Sequence, residues 1–495
     1  MPGVVPSAQG RSRQGTRTRP GAVGGAVPRP ATTAPRDAGP YLVGQEIEVT
    51  VGDAAQGGWC VARPDGLPVI FVRHALPGER VLARVTEVTA KFARADAVEI
   101  RLVSRDRVPP PCPAAHPGGC GGCDWQHASL PAQRALKASV IAQQLKRLAG
   151  IDRAVTVEPL PGDGPEITAS GGTLNGGAPD DGASAAVTPD HRTPGDRQPG
   201  LGWRTRVQFA VDREGVAGLR AHRSHEVIDI GDCLIAHDAI RELDIPGHDW
   251  SGAAAVEAVA GAADMPDNVA VTVIAGGSPP KARKNRNQRG AGRLPGHKRT
   301  MVEGRPYLAE RAAGRIWQVG AEGFWQVHPA AADTLCAAVV AGLRPEAGDT
   351  VLDLYCGAGL FAGAVAPLVG AGGAVTGIES DAAAIRNARQ NLADCPWVQF
   401  RKADAAKAAQ DGDLPDARLV VADPPRSGLA REVIGYLTGE GQAERFAYVS
   451  CDPATLARDL GLLLAGGWRL DELRVFDAFP MTHHVECVAV LSRDR

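Results

Sequence analysis

Apolar and polar residues alternate along Glu46-Ile47-Glu48-Val49-Thr50-Val51 and, less strictly, along Arg80-Val81-Leu82-Ala83-Arg84-Val85. A two-residue period puts one face in water and one in a core, so both stretches predict half-buried strands. Gly57-Gly58 and Pro77-Gly78 punctuate the region from Tyr41 to Val103, which predicts a small OB-like barrel. From Leu130 to Leu148 the apolar spacing becomes helical, with Pro131 in the first turn. Strands are expected again over Thr205–Val211 and Glu226–Ile230. After Gln326 the pattern changes once more. Thr350–Leu354, Ala374–Ile378, Leu419–Ala422 and Phe446–Ser450 are apolar runs separated by helical stretches such as Ala382–Leu392. That alternation predicts a doubly wound parallel sheet, with ligands at the carboxyl ends of its strands.

The expected architecture is therefore multidomain α/β. It has an OB-like barrel over residues 39–105, a central α+β domain over 106–325, and a Rossmann-like domain over 326–495. A chain of 495 residues is too long for one core, and 44% hydrophobic with 22% charged residues is a globular composition. The net charge of −2 gives no overall field to draw in nucleic acid, so any such attraction must be local.

Residues 1–38 hold six arginines and one acid among many Pro and Gly, which predicts a disordered tail. Flexible insertions are expected over 161–202 and 276–300. Lys281–Arg299 carries eight basic residues and no acid. It reads either as a solvated loop or as a phosphate-contacting arm, and Arg204 and Arg206 are further phosphate candidates. The N-terminus has no apolar core of the signal-peptide kind. The longest charge-free run, Leu360–Ile378, is broken by Pro367 and five glycines. A cytoplasmic monomer without a membrane span is expected.

The candidate chemistry lies at the strand ends. Cys356-Gly357-Ala358-Gly359 turns from a strand into a helix, where glycines let the backbone approach a ligand. Glu379 ends the next strand, at the distance where a carboxylate can hold ribose hydroxyls, and Asp404 ends the one after. By itself this loop suits NAD or S-adenosylmethionine equally. Asp423-Pro424-Pro425-Arg426 forms a rigid extended loop after another strand. Cys451 follows the strand ending in Ser450, and Glu486 stands in the otherwise apolar Val485-Glu486-Cys487-Val488-Ala489-Val490-Leu491. A thiolate that adds to C6 of uracil makes C5 nucleophilic toward a sulfonium methyl. A carboxylate must then remove the C5 proton. Cys451 and Glu486 supply those two groups, although a salt bridge to an Arg is the competing reading of Glu486. His483 and His484 are expected to be structural.

Cys112, Cys120 and Cys123 cluster as C-x7-C-x2-C. In a reducing compartment such spacing marks a metal site, for zinc or an iron–sulfur cubane alike.

DLYCGAG, ADPPRSGL, YVSCDPATLARDL and HHVECVAVL together resemble the RNA uracil-5 methyltransferase family. Residues 41–103 resemble the TRAM barrel of its 23S rRNA branch. The resemblance implies S-adenosylmethionine as cofactor, Cys451 as nucleophile and Glu486 as the C5 base. It implies cofactor contacts from Gln326, Tyr355, Gly357, Gly359, Glu379, Asp404 and Asp423. It also implies a [4Fe–4S] cluster on Cys112, Cys120, Cys123 and Cys233, and RNA as partner: rRNA foremost, with a tRNA T-loop as the alternative. A catalytically silent RNA-binding or assembly factor and an NAD-linked oxidoreductase are the rivals from other classes. Leu360 and Asp452 depart from the family, since both positions often hold Asn. The first cysteine spacing is also long.

Overall fold

In the computed structural model Val49 and Val51 face a core while Glu46, Glu48 and Thr50 face solvent, as their alternation requires. The structure describes residues 40–163, 198–262, 265–276, 298–439 and 441–493. The expected tail, most of the first insertion and nearly all of the basic arm lie outside these residues.

Five strands close a barrel in the order β1-β2-β3-β5-β4: β1 (Glu46–Ala55), β2 (Trp59–Ala62), β3 (Val69–Arg73), β4 (Arg80–Val88) and β5 (Phe92–Leu102). Inward Val81, Ala83 and Val85 alternate with outward Arg80 and Arg84, and closure leaves no unpaired sheet edge. The cysteine-rich loop follows. Helix α1 (Leu130–Ala149) then starts with Pro131 in its first turn and stops at Gly150, whose φ of 68° continues no helix.

The central sheet is antiparallel, in the order β12-β11-β10-β7-β8-β9. Its strands are β7 (Arg206–Val211), β8 (Ala217–Arg220), β9 (Val227–Ile228), β10 (Ala253–Ala260), β11 (Val269–Ala275) and β12 (Arg299–Gly304), with the one-turn helix α2 (Asp238–Arg241) between β9 and β10. β9 is shorter than the sequence suggests because Asp229 accepts the Gly231 N–H and turns the chain. A hairpin of β13 (Tyr307–Ala312) and β14 (Arg315–Gly320) leads onward, and its Trp317 is fully buried in the core of the last sheet.

That sheet has eight strands in the order β17-β16-β15-β18-β19-β21-β20-β6. Helix α3 (Ala331–Leu343) precedes it. The chain then runs β15 (Thr350–Leu354), α4 (Leu360–Val369), β16 (Ala374–Glu379), α5 (Ala382–Asn391), β17 (Val398–Lys402), α6 (Ala405–Gln410) and β18 (Leu419–Ala422). It continues with α7 (Arg431–Thr438), β19 (Arg445–Ser450), α8 (Pro453–Ala465), β20 (Arg469–Asp477) and β21 (Glu486–Ser492). The first five strands are parallel, and their order reverses between β15 and β18. Such a reversal leaves a crevice at the carboxyl ends. β21 inserts antiparallel between β19 and β20.

The last strand of the sheet comes from far upstream. β6 (Val157–Pro159) pairs with β20, and Glu158 takes a two-pronged ion pair from Arg474, 316 residues away. Ile141 and Leu145 of α1 share a core with Leu456 and Leu460 of α8. Lys137 of α1 makes a fully buried ion pair with Asp477. Among the described residues no helix is long and apolar enough to cross a membrane.

Candidate active site at the carboxyl edge of the sheet

Strand register gathers the site. Leu354 pairs with Ile378 and with Ala422, so Tyr355, Glu379 and Asp423 step off the sheet side by side. β21 is antiparallel, so its beginning lies at the edge where the parallel strands end. Ser450 pairs with Cys487, and the next position along sets Cys451 opposite Glu486.

The turn after β15 is tight. Tyr355 and Gly357 have φ of 63° and 52°, and Gly359 has φ of 91° at the start of α4. A Cβ on Gly359 would stand 3.1 Å from the Phe400 ring, so both conformation and space select glycine. The Gly357 N–H donates to Glu379 Oε2 at 3.2 Å, tying the loop to the end of β16. The Ala403 N–H donates to the Glu379 carbonyl at 2.9 Å, which brings Asp404 alongside. Asp404 is exposed and caps α6 by accepting the Lys407 N–H. Gln326 is buried. Its neighbour Val327 is pinned by the residue just before β7, since its carbonyl accepts both the N–H and the hydroxyl of Thr205. Among the described residues no hydrogen bond joins the Gln326 side chain to the rest of the site. Leu360 lies in the apolar core, and Asp452 caps α8 by accepting the Ala454 and Thr455 N–H groups, which explains a carboxylate there.

Two acids and a thiol share this edge with little water. Burial, then the Asp423 charge, pushes the Glu486 carboxyl well above its ordinary range, with Arg426 opposing. Burial raises Asp423 to about 7. Burial, then Glu486 and Asp423, push the Cys451 thiol up to about 12, again against Arg426. Among the described residues Glu486 makes no ion pair, so the salt-bridge reading of this residue finds no partner. The site therefore holds a thiol that a nearby cation would activate and a carboxyl with high proton affinity.

Three residues were not singled out in the sequence. Asp353, fully buried inside its motif, accepts the Ala362 N–H at 2.9 Å and leaves Oδ1 without a partner. Burial, then the Asp423 and Glu379 charges, raise it to about 8. A charge inside an apolar strand was the available signal. Asp459 on α8 accepts the Leu429 N–H (2.9 Å) and the Tyr448 hydroxyl (2.7 Å), fixing the loop that carries Arg426. Its place among Leu456, Leu460 and Leu463 on a buried helix face was the clue. Asp124, next to Cys123, lies 2.6 Å from His483 Nδ1.

Cys112, Cys120, Cys123 and Cys233 line one pocket together with Arg204. Burial raises the thiols of Cys120, Cys123 and Cys233, and each also feels another cysteine of the set. Among the described residues no three His, Cys, Asp or Glu side chains stand as a ready ion-binding group, so the structure itself does not display the expected iron–sulfur centre. The phosphate expectation needs correction for Arg206. Its guanidinium is taken by the carbonyls of Ala321 (2.9 Å) and Gly323 (2.7 Å) and by Glu257, because it braces β7 against the turn before Gln326.

Comparison with known proteins agrees with this layout. The family described as tRNA (uracil-5-)-methyltransferase matches residues 315–494, and the TRAM domain matches residues 40–98. A protein from Streptomyces coelicolor named as an uncharacterized RNA methyltransferase is 49% identical over 91% of this chain and 93% of its own length. One of the same name from Bifidobacterium longum is 32% identical over 90% of this chain and 97% of its own. The crystal structure of Pyrococcus abyssi tRNA (uracil-54, C5)-methyltransferase with S-adenosyl-L-homocysteine superposes with a TM-score of 0.61 at 22% identity. It covers 90% of this chain and all of that one, which shows the shared fold. The chain belongs to the RNA (uracil-5-)-methyltransferase family, enzymes that take their methyl group from S-adenosylmethionine.

Proposed function

We propose that the chain methylates C5 of a uridine in folded RNA, of 23S rRNA in the first instance, through a covalent bond between Cys451 and C6. The observation that carries this reading is the register that sets Cys451 opposite Glu486. Bound S-adenosylmethionine supplies the methyl group on a cationic sulfur. Cys451 gives its thiol proton to solvent and its sulfur bonds to C6, so that electron density gathers at C5. C5 then takes the methyl carbon as the sulfur–methyl bond breaks. Glu486 removes the C5 proton, the C5–C6 double bond re-forms, and the Cys451 thiolate leaves. A carboxyl of raised proton affinity suits that last step. Gln326, Tyr355, Gly357, Gly359, Glu379, Asp404 and Asp423 would hold the cofactor along the sheet edge. The barrel over 39–105 and the central region over 106–325 would hold RNA, with the target base swung out of its stack.

Cys112, Cys120, Cys123 and Cys233 would carry the [4Fe–4S] cluster. Four thiols on one pocket fit its donor set. Its part is structural, and no step of the transfer runs through it. A T-loop uridine of tRNA is the second reading, favoured by the names of the matched family and of the Pyrococcus abyssi neighbour.

Nucleoside mass mapping of rRNA and tRNA tests both, comparing the parent strain, a deletion and a complement carrying C451A. Loss of 5-methyluridine from one rRNA position in the deletion and the C451A strain is expected. Loss from a tRNA T-loop instead selects the second reading. An unchanged pattern would leave an RNA-binding or assembly role.

A further inference from the structure

The strand that carries Glu486 is entered through a constrained segment. Met481 has φ of 68°, a left-handed conformation that residues other than glycine rarely adopt. It is held there from outside. Its carbonyl accepts the backbone N–H groups of Asp124 (2.9 Å) and Trp125 (3.0 Å), and its own N–H donates to Gln133 Oε1 at 2.8 Å. Two residues on, His483 meets Asp124 Oδ2 twice, through its backbone N–H at 3.1 Å and its ring Nδ1 at 2.6 Å. Asp124 is 7% exposed, so a paired carboxylate there is firmly placed.

The barrel closes on the same carboxylate. Arg73, the last residue of β3, brings Nη2 to 3.5 Å from Asp124 Oδ1. Gly58 has φ of 78°, and a Cβ on it would lie 2.6 Å from the Asp124 side chain, so the barrel backbone sits flush against it. Between His483 and Glu486 lie only His484 and the fully packed Val485. One end of this short link is fixed by Asp124 and the other by the pairing of β21.

We propose that Asp124 is a positioning residue, which through His483 sets where the Glu486 carboxyl stands relative to the uracil C5 proton. Barrel, cysteine loop and catalytic strand thus meet at one carboxylate. This rests on the covalent reading above. A Glu486 displaced by a fraction of an ångström slows proton removal more than it slows the earlier bond formation. The expected signature is a build-up of the methylated RNA–Cys451 adduct.

The test uses full-length protein and a cognate RNA fragment, scoring kcat, KM for RNA and the denaturant-stable RNA–protein band. Asp124→Ala and His483→Ala should each lower kcat about 10- to 100-fold. Both should raise the fraction of trapped adduct, with little change in KM. The double variant should resemble either single one. Asp124→Asn keeps an acceptor for His483 and should recover most of the rate. His483 is partly exposed, so its variant reports even if Asp124→Ala folds poorly. Glu486→Gln is the reference for full trapping. A His483→Ala enzyme with wild-type kcat, or slow variants without extra adduct while Glu486→Gln traps it, would overturn the positioning role alone. No adduct from Glu486→Gln would remove the covalent reading, and this inference with it.

Discussion

Cys451 and Glu486 face each other across the first step beyond an antiparallel ladder, one at the end of β19 and the other at the start of β21. Only an inserted antiparallel strand can deliver its first residue to the edge where parallel strands deliver their last. The pairing therefore places the Cys451 thiol and the Glu486 carboxyl on one edge without any long loop.

Replacing Cys451 with Ala should abolish methyl transfer and remove any covalent RNA adduct, while S-adenosylmethionine binding and Tm change little. The side chain is half-buried and bonds to nothing in the fold among the described residues. Isothermal titration and a denaturation scan would check the two halves of this expectation.

Asp353→Asn should flatten the pH dependence of stability. The Asp353 carboxyl has a raised folded-state value of about 8, so folding favours its protonated form. Its contribution is fully present below the unfolded carboxyl range and is lost as pH rises toward 8. Asn keeps the acceptor for the Ala362 N–H and cannot ionise. The drop in Tm between pH 5 and pH 8.5 should be smaller in the variant, and an equal or larger drop would refute the assignment.

Asp459→Ala should destabilise the protein by about 1–3 kcal/mol, because it strands the buried Tyr448 hydroxyl and frees the Leu429 N–H. The loop carrying Arg426 loses its anchor, so activity should fall as well. Urea unfolding and a methylation assay would read the two effects.

Lys137→Ala leaves Asp477 as an unpaired charge in a fully buried setting. A loss of about 3–5 kcal/mol is expected, measurable in denaturant. Lys137→Met with Asp477→Leu should recover part of it, since the cost comes from the stranded charge.

Cys120→Ser and Cys233→Ser should each lose bound iron and acid-labile sulfide, whereas Cys395→Ser, remote from the four-cysteine pocket, should keep both. Metal analysis with absorption spectroscopy of anaerobically purified protein would decide, and zinc in place of iron would correct the proposed cluster.

Much of this was legible in the chain. The alternation at Glu46–Val51 marks a barrel wall because one face must be wet. The apolar runs at Leu419–Ala422 and Phe446–Ser450 mark interior strands because both faces are covered. Cys451, Glu379 and Asp423 could be placed because each directly follows or ends such a run. What could not be read depends on tertiary pairing. Nothing local announces that Val157–Pro159 joins the last sheet, or that Asp124 finds His483. Arg206 resembled a phosphate ligand because its inward partners are backbone carbonyls, which carry no sequence signature.

The edge strand β6 bears on how the molecule can be taken apart and how it is made. A fragment beginning at the hairpin would bare the flank of β20, a row of open amides inviting sheet growth between copies. Synthesis runs from the N-terminus, so Glu158 must wait for Arg474 to emerge before either can pair. The catalytic sheet is thus sealed last by the piece made early. Any dissection meant to isolate the methyl-transferring half has to carry α1 and β6 along with it.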